Sequence, residues 1–202
     1  MDKDHILLDT VTLDQFVFEV YRDRPDFYFC EVDQIHGNTV VAREDINSET
    51  QADGIISDNP NYPLAIKTAD CLPIAFIGTK GHGLIHAGWQ GLQKLIIASA
   101  QLQQIKPTII YIGPHIRKCC YAVEDHFHQK FEEGGYFTSK KDGQSYFDLT
   151  GLAIHQIKQF FPRATIYQSK ICTHCNDRYN SYRRDKTATR NYNILKRSTH
   201  VE

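Results

Sequence analysis

The 202-residue sequence predicts one domain of mixed α and β structure. Short β-rich runs dominate the first half, and three amphipathic stretches with helical spacing follow in the second. No internal repeat, low-complexity segment or Gly/Ser/Pro-rich linker divides the chain, whose length suits a single sizeable core across 1–202 rather than two domains.

The runs at 16–21, 27–32, 39–42, 64–68, 72–77 and 83–86 are rich in β-branched and aromatic residues and read as strands of a buried sheet. From Gly91, Leu92, Leu95, Ile96, Ser99 and Leu102 recur at three and four residues and line one face of a helix ended by Pro107. Residues 108–112 return to strand character before Gly113-Pro114. Val123, Phe127 and Phe131 then repeat every four residues along a second helix, which Gly134-Gly135 closes. The polar stretch 138–145 reads as a surface loop. Leu149, Leu152, Ala153, Ile157, Phe160 and Phe161 mark a third helix with Pro162 at its end, and 165–168 is one more strand. Periodicity does not give the strand order.

Composition excludes several functions. A formal net charge of -1 supplies no electrostatic footprint for nucleic acid, and no basic block marks a membrane surface. Asp2 and Asp4 stand where a signal peptide needs a basic start, and no apolar run approaches a membrane span, so the expected location is the cytoplasm. In a reducing compartment the six cysteines are read as ligands, nucleophiles or buried apolar groups before disulfides are considered. The oligomeric state is not written in these features.

The densest chemistry runs from Lys67-Thr68-Ala69-Asp70-Cys71-Leu72-Pro73 through an apolar strand to His86-Ala87-Gly88-Trp89-Gln90-Gly91. An antiparallel hairpin turning near 78–81 would set Cys71 and His86 beside each other at its open end. Thiolate and imidazole suit zinc or copper, and three protein ligands leave one position open for water or substrate. His36, in Gln34-Ile35-His36-Gly37, is the best third ligand, with the glycine allowing a tight turn near the site. Each has a bland alternative: a satisfied loop histidine for His36, a buried apolar thiol for Cys71. Asp70 beside Cys71 could orient a ligand histidine or cap a turn.

Two further clusters carry weaker signals. Cys172-Thr173-His174-Cys175 resembles half of a structural zinc site, with Cys119 and Cys120 as possible partners. Adjacent cysteines are awkward for one tetrahedral ion, so buried or incidental thiols are the preferred reading. Arg183, Arg184 and Arg190 put three guanidinium groups within eight residues, useful for phosphate or carboxylate, or simply a solvated basic loop.

These segments, with Ala52-Asp53-Gly54, Ile112-Gly113-Pro114, Cys120-Tyr121 and Ser181-Tyr182-Arg183-Arg184, closely resemble the laccase-domain or multicopper polyphenol oxidase family. That family is described as purine nucleoside phosphorylases with adenosine deaminase activity. The resemblance covers most of the chain. It implies an α+β, four-layer α/β/β/α sandwich with mixed sheets, like the cysteine-hydrolase fold. It also implies a single zinc on His36, Cys71 and His86. Cys71, His86 and Asp70 are the expected catalytic residues. Three positions depart from the family pattern: Gln90 replaces the usual arginine after the tryptophan, His115 follows Gly-Pro where a small residue is common, and Ala188 precedes Thr189-Arg190 without the usual glycine. Gln90, His115, Arg183, Arg184 and Arg190 are the expected substrate-binding residues.

The leading expectation is therefore a zinc-dependent purine nucleoside enzyme. It would cleave adenosine, inosine and methylthioadenosine with phosphate, and deaminate adenosine by water attack at purine C6. A Cys71/His86 thiol hydrolase or amidase acting on peptidoglycan precursors is the alternative. Copper-dependent phenol oxidation ranks third, because one three-ligand site lacks the histidine pairs of a multicopper centre. The non-enzyme reading, a structural metal-binding module, requires a closed fourth ligand such as His115 or Cys120.

Overall fold

The computed structural model describes residues 5–131, 134–139 and 143–199. The acidic start, residues 1–4, and three residues of the expected loop, 140–142, lie outside the described residues.

Two sheets stacked face to face form the body. The first has the order β1 (Leu7–Leu13), β2 (Phe16–Tyr21), β13 (Asn191–Arg197), β5 (Leu64–Thr68), all antiparallel. The second runs β12 (Thr165–Gln168), β8 (Pro107–Ile112), β6 (Leu72–Gly78), β7 (Gly81–Ala87), β4 (Gly54–Ser57), β3 (Val40–Ala42). Its two edge pairings, β12 with β8 and β3 with β4, are parallel and the inner three antiparallel, so the sheet is mixed.

Alternation along the strands explains the stacking. In β6, Ala75 and Ile77 face the first sheet while Leu72, Ile74 and Phe76 face the helices, so the strand is apolar on both sides. From the first sheet, Phe16, Phe18 and Val20 of β2, Leu64 and Ile66 of β5 and Leu195 of β13 complete the inter-sheet core. Each such side chain contributes roughly 1.5–3 kcal/mol by leaving water. The outer face of the second sheet is covered by α1 (Trp89–Gln93), α2 (Ala100–Gln104) and α3 (Leu149–Phe160). The outer face of the first is covered by Phe27 and Phe29, packed on Ala65, Ile194 and Tyr192. That covering layer is the segment expected as a strand at 27–32. It makes one bridge, Cys30 to Leu64, and packs Phe27 and Phe29 against the sheet instead of extending it.

Two expected helices are interrupted. The stretch from Gly91 breaks at Leu95, which adopts a left-handed φ of 58° and is 46% exposed. Ser99 ends the following 3-10 turn and caps α2 by accepting the Leu102 N–H at 3.3 Å. Leu92, Ile96 and Leu102 nevertheless stay fully buried, because the breaks fall between the apolar positions. The stretch at 123–131 is a short strand, β9 (Ala122–Val123), and a 3-10 turn, Asp125–Lys130. β9 pairs with β11 (Ser145–Phe147), and β11 with β10 (Phe137–Ser139), so part of the expected loop is a hairpin. Phe127 and Phe131 pack on Phe147 at ring separations of 5.4 and 4.9 Å: the four-residue spacing records an aromatic cluster and not a helix. β1, β4 and β13 were not expected. No helix among the described residues is long and apolar enough to cross a membrane.

Candidate metal centre and substrate pocket

The β6–β7 hairpin forms as its sequence predicts, with Pro73 opposite His86, Leu72 opposite Ala87 and the turn at Gly78 and Gly81. Gly81 has φ +143°, and a side chain at Gly78 would strike the Ile105 carbonyl at 2.0 Å, so both turn positions need glycine. Cys71 therefore stands at the open end of the hairpin beside His86. A side-chain carbon at Gly88 would come within 3.0 Å of the Cys71 sulfur, so the glycine of His86-Ala87-Gly88 leaves room for the thiol.

His36 reaches the same point from the loop before β3. Its own φ is 58°, and that of Asp70 is 96°, so the left-handed conformations belong to the site residues and not to Gly37. Such backbone costs of order 1–3 kcal/mol each and is held by surrounding contacts. For His36 the contact is Asp53, whose carboxylate accepts the N–H groups of His36 at 3.0 Å and Gly37 at 2.6 Å. The ligand atoms of His36, Cys71 and His86 all lie within 4.8 Å of one another, and the two imidazole rings are 4.7 Å apart, edge to face.

Asp53 also accepts from His86 Nδ1 at 2.7 Å and is fully buried. It fixes the tautomer and ring orientation of His86 and leaves Nε2 for the site, the usual relation of a carboxylate to a ligand histidine. Burial alone would raise the Asp53 carboxyl, but the His86 hydrogen bond and the two backbone N–H groups hold it below the usual carboxylate range. Burial also opposes a charge on Cys71. The adjacent His86 and His36 outweigh it and bring the thiol down to about 6. Against its own burial, His86 is pushed up to about 9 by Cys71 and Asp53. The site is thus prepared with a thiolate, the form that binds a soft metal or attacks a carbonyl.

Asp70 does not orient a histidine. Its carboxylate accepts the Thr173 hydroxyl at 2.7 Å and the Arg183 N–H at 2.6 Å, tying two distant segments to the turn that carries Cys71. Asp53 does the orienting. An acid immediately before β4, whose four residues are all buried, signals a paired carboxylate, because burying it alone costs several kcal/mol.

A cavity of about 650 Å³ opens over His36, Cys71 and His86, within the range of small-molecule sites. Lys67, Arg183, Lys186 and Arg190 supply positive charge to its wall, and Trp89, Tyr121 and Tyr182 supply aromatic surface. The Arg183 guanidinium lies 5.1 Å from the centre of the Tyr121 ring and donates from Nη1 to the Ala122 carbonyl. Arg190 donates to the Thr187 and Thr189 carbonyls at 3.0 and 2.8 Å. Lys67, Trp89, Tyr121 and Tyr182 lie inside the motifs quoted above without being assigned a role there, and Lys186 lies just beyond the last of them.

Three expected substrate-binding residues are placed elsewhere. Arg184 donates to the carbonyls of Thr173, His174, Asn176 and Tyr179 and to both oxygens of Asp185. These contacts engage the full fork of the guanidinium, so Arg184 clamps the 173–179 turn and has no donor left for phosphate. His115 is fully buried, with its ring nitrogens on the Gly113 carbonyl and the Thr150 hydroxyl. It is a core histidine, neither a substrate contact nor a fourth ligand. Gln90 sits in α1 just beyond Trp89 and is not part of the cavity wall.

The four cysteines expected to be incidental also converge: the Cys119, Cys120, Cys172 and Cys175 sulfurs lie within 4.8 Å of one another, and Cys119, Cys172 and Cys175 line a separate groove.

Residues 19–196 match the family model described as multi-copper polyphenol oxidoreductase laccase. The chain is 32% identical to a purine nucleoside phosphorylase of Aquifex aeolicus over 78% of its length and 77% of the relative's. It is 35% identical to a purine nucleoside phosphorylase of Borreliella burgdorferi over 75% and 72%. Among solved structures it superposes on a Neisseria meningitidis protein of the DUF152 family with a TM-score of 0.79 at 20% identity, covering 97% of this chain and all of that one. It also superposes on YlmD of Geobacillus stearothermophilus with a TM-score of 0.70 at 27% identity, covering 84% and 73%.

Proposed function

The chain belongs to the multi-copper polyphenol oxidoreductase laccase family, and on that premise we propose that it is a zinc-dependent purine nucleoside phosphorylase that also deaminates adenosine. The observation that carries this reading is the convergence of His36, Cys71 and His86 beneath a cavity whose wall carries Lys67, Arg183, Lys186 and Arg190. Two imidazoles and a thiolate suit zinc, and three ligands leave a position open. When bound there, the ion supplies Lewis acidity to an oxygen of water or substrate.

The chain's own groups do the rest. Arg183 and Arg190, joined by the two lysines, would hold a phosphate dianion against the anomeric carbon of the ribose. The new carbon–oxygen bond forms as the bond to the purine nitrogen breaks, and the departing electron pair stays on the base. Tyr121, Tyr182 and Trp89 offer faces on which a purine can stack. Asp53 keeps His86 in one orientation throughout. Adenosine, inosine and methylthioadenosine are the nucleosides we assign to it, and the cytoplasm, where free phosphate and nucleosides meet, is its place of action.

Incubation with adenosine, with and without phosphate and with and without chelator, tests this by chromatography. Adenine and ribose 1-phosphate should need phosphate, inosine should form without it, and chelator should stop both. A second reading rests on a specific contact: Cys71, His86 and Asp53 stand in the order nucleophile, base and orienting acid, with the last two 2.7 Å apart. That arrangement suits a thiol hydrolase or amidase acting on peptidoglycan precursors. Turnover that survives chelator but not thiol alkylation would favour it. Phenol oxidation by copper ranks lowest, since the other cluster among the described residues contains no histidine.

A further inference from the structure

We propose that Cys119, Cys120, Cys172 and Cys175 form a second, closed metal site that holds a structural zinc ion. The four sulfurs come from two tight turns. In one, the N–H groups of Cys120 and Tyr121 both return to the Arg117 carbonyl, at 2.9 and 3.0 Å. In the other, the N–H groups of Cys175 and Asn176 both return to the Cys172 carbonyl at 3.1 Å. Each turn carries its two thiols to one side, which removes the objection that adjacent cysteines cannot share an ion.

Distances fit the ion. Four sulfurs at about 2.3 Å from zinc stand roughly 3.8 Å apart in a tetrahedron. The Cys119–Cys175 separation is 3.8 Å and the Cys120–Cys175 separation 3.2 Å. Both exceed the sulfur–sulfur bond of about 2.05 Å, and a disulfide would use only two of the four. Four thiolates around a divalent ion leave two negative charges. Arg117 and Lys170 line the same groove, and the Arg117 N–H donates to the Cys172 sulfur at 3.4 Å.

The position gives the ion something to hold. Backbone pairing of His115 with Cys172, and the Arg184 clamp, join the second turn to the body. Thr173, between the two cysteines of that turn, is fully buried and donates to Asp70, the neighbour of Cys71. Zinc among the four thiols would lock this connection without meeting substrate.

The test uses the full chain purified under reducing conditions and measures zinc by elemental analysis and X-ray absorption. Wild-type protein should hold two zinc ions per chain. The variant Cys71→Ala should retain one, with a first shell of sulfur alone near 2.3 Å. Adding Cys119→Ser and Cys175→Ser to Cys71→Ala should remove that ion; both cysteines are exposed, and should this variant fail to fold, the absorption spectrum of Cys71→Ala decides alone. A Cys71→Ala protein without zinc, or with nitrogen in the zinc shell, would overturn the proposal. So would a disulfide between Cys120 and Cys175 in the reduced preparation. Because the ion is counted in a variant lacking the pocket thiol, the result does not depend on the nucleoside reading.

Discussion

Two groups of soft ligands stand in this molecule, equally compact and differently surrounded. His36, Cys71 and His86 face a cavity and are backed by a buried carboxylate, while the four cysteines face one another across two turns, the second of which is joined to the body by backbone pairing and by Arg184. Three ligands with an orienting acid and room above them describe a reactive centre; four ligands without a vacancy describe a brace. The ligand count and what lies behind it, not the presence of cysteine and histidine, separate the two.

The largest expected effect strikes the reactive side. Asp53→Ala removes the partner of a buried histidine and two backbone N–H groups at once, and should cost about 3–5 kcal/mol in urea unfolding. It should also weaken zinc binding about 10–100-fold in a competition titration. Unchanged zinc affinity would mean that His86 needs no orienting group and would erase the distinction.

Acid strikes the braced side. Burial drives His115, which pairs with Cys172, down from 6.5 to about 4. Below pH 6.5 the unfolded chain takes up a proton that the folded chain refuses. Stability is therefore fully present above 6.5 and declines toward pH 4, by up to about 3 kcal/mol. Urea midpoints measured across that window should slope downward, and less so in His115→Gln.

The neighbouring arginines separate the regions within one turn of helix. Arg183→Ala should raise the phosphate KM by about 10–100-fold, the equivalent of 1.5–3 kcal/mol for a charged hydrogen bond. Arg184→Ala should leave that KM unchanged and lower the thermal midpoint, because its donors end on carbonyls of the braced turn. Equal effects on phosphate KM from both would place Arg184 in the pocket after all.

How much of this was legible follows from the range of each signal. The hairpin was, since two apolar strands around a glycine turn fix a register locally, and with it the approach of Cys71 to His86. The apolar faces of α3 and β6 were legible for the same reason. Asp53 was visible only as part of a motif; its role depends on His86, 33 residues away, and on a loop that returns to it. Arg184 looked like its neighbour because sequence cannot say which carbonyls a guanidinium meets. The convergence of the four cysteines depends on the turn at Arg117, which the adjacency of Cys119 and Cys120 in the sequence does not reveal. The helices from Gly91 and at 123–131 failed because apolar spacing reports burial, which broken turns and an aromatic cluster satisfy equally well.

The smallest effect concerns Gln90. Outside the cavity wall, Gln90→Arg should shift the phosphate KM by less than about twofold, in line with surface substitutions that stay within ±0.5 kcal/mol.

The most direct measurement sets the two clusters against each other in one assay: release of adenine and ribose 1-phosphate from adenosine and phosphate by Cys71→Ala and by the double variant Cys119→Ser, Cys175→Ser. The pocket variant should fold and form neither product, while the brace variant, assayed below its lowered thermal midpoint, should form both. Product from Cys71→Ala at the wild-type rate would contradict the assignment of His36, Cys71 and His86 as the reactive centre.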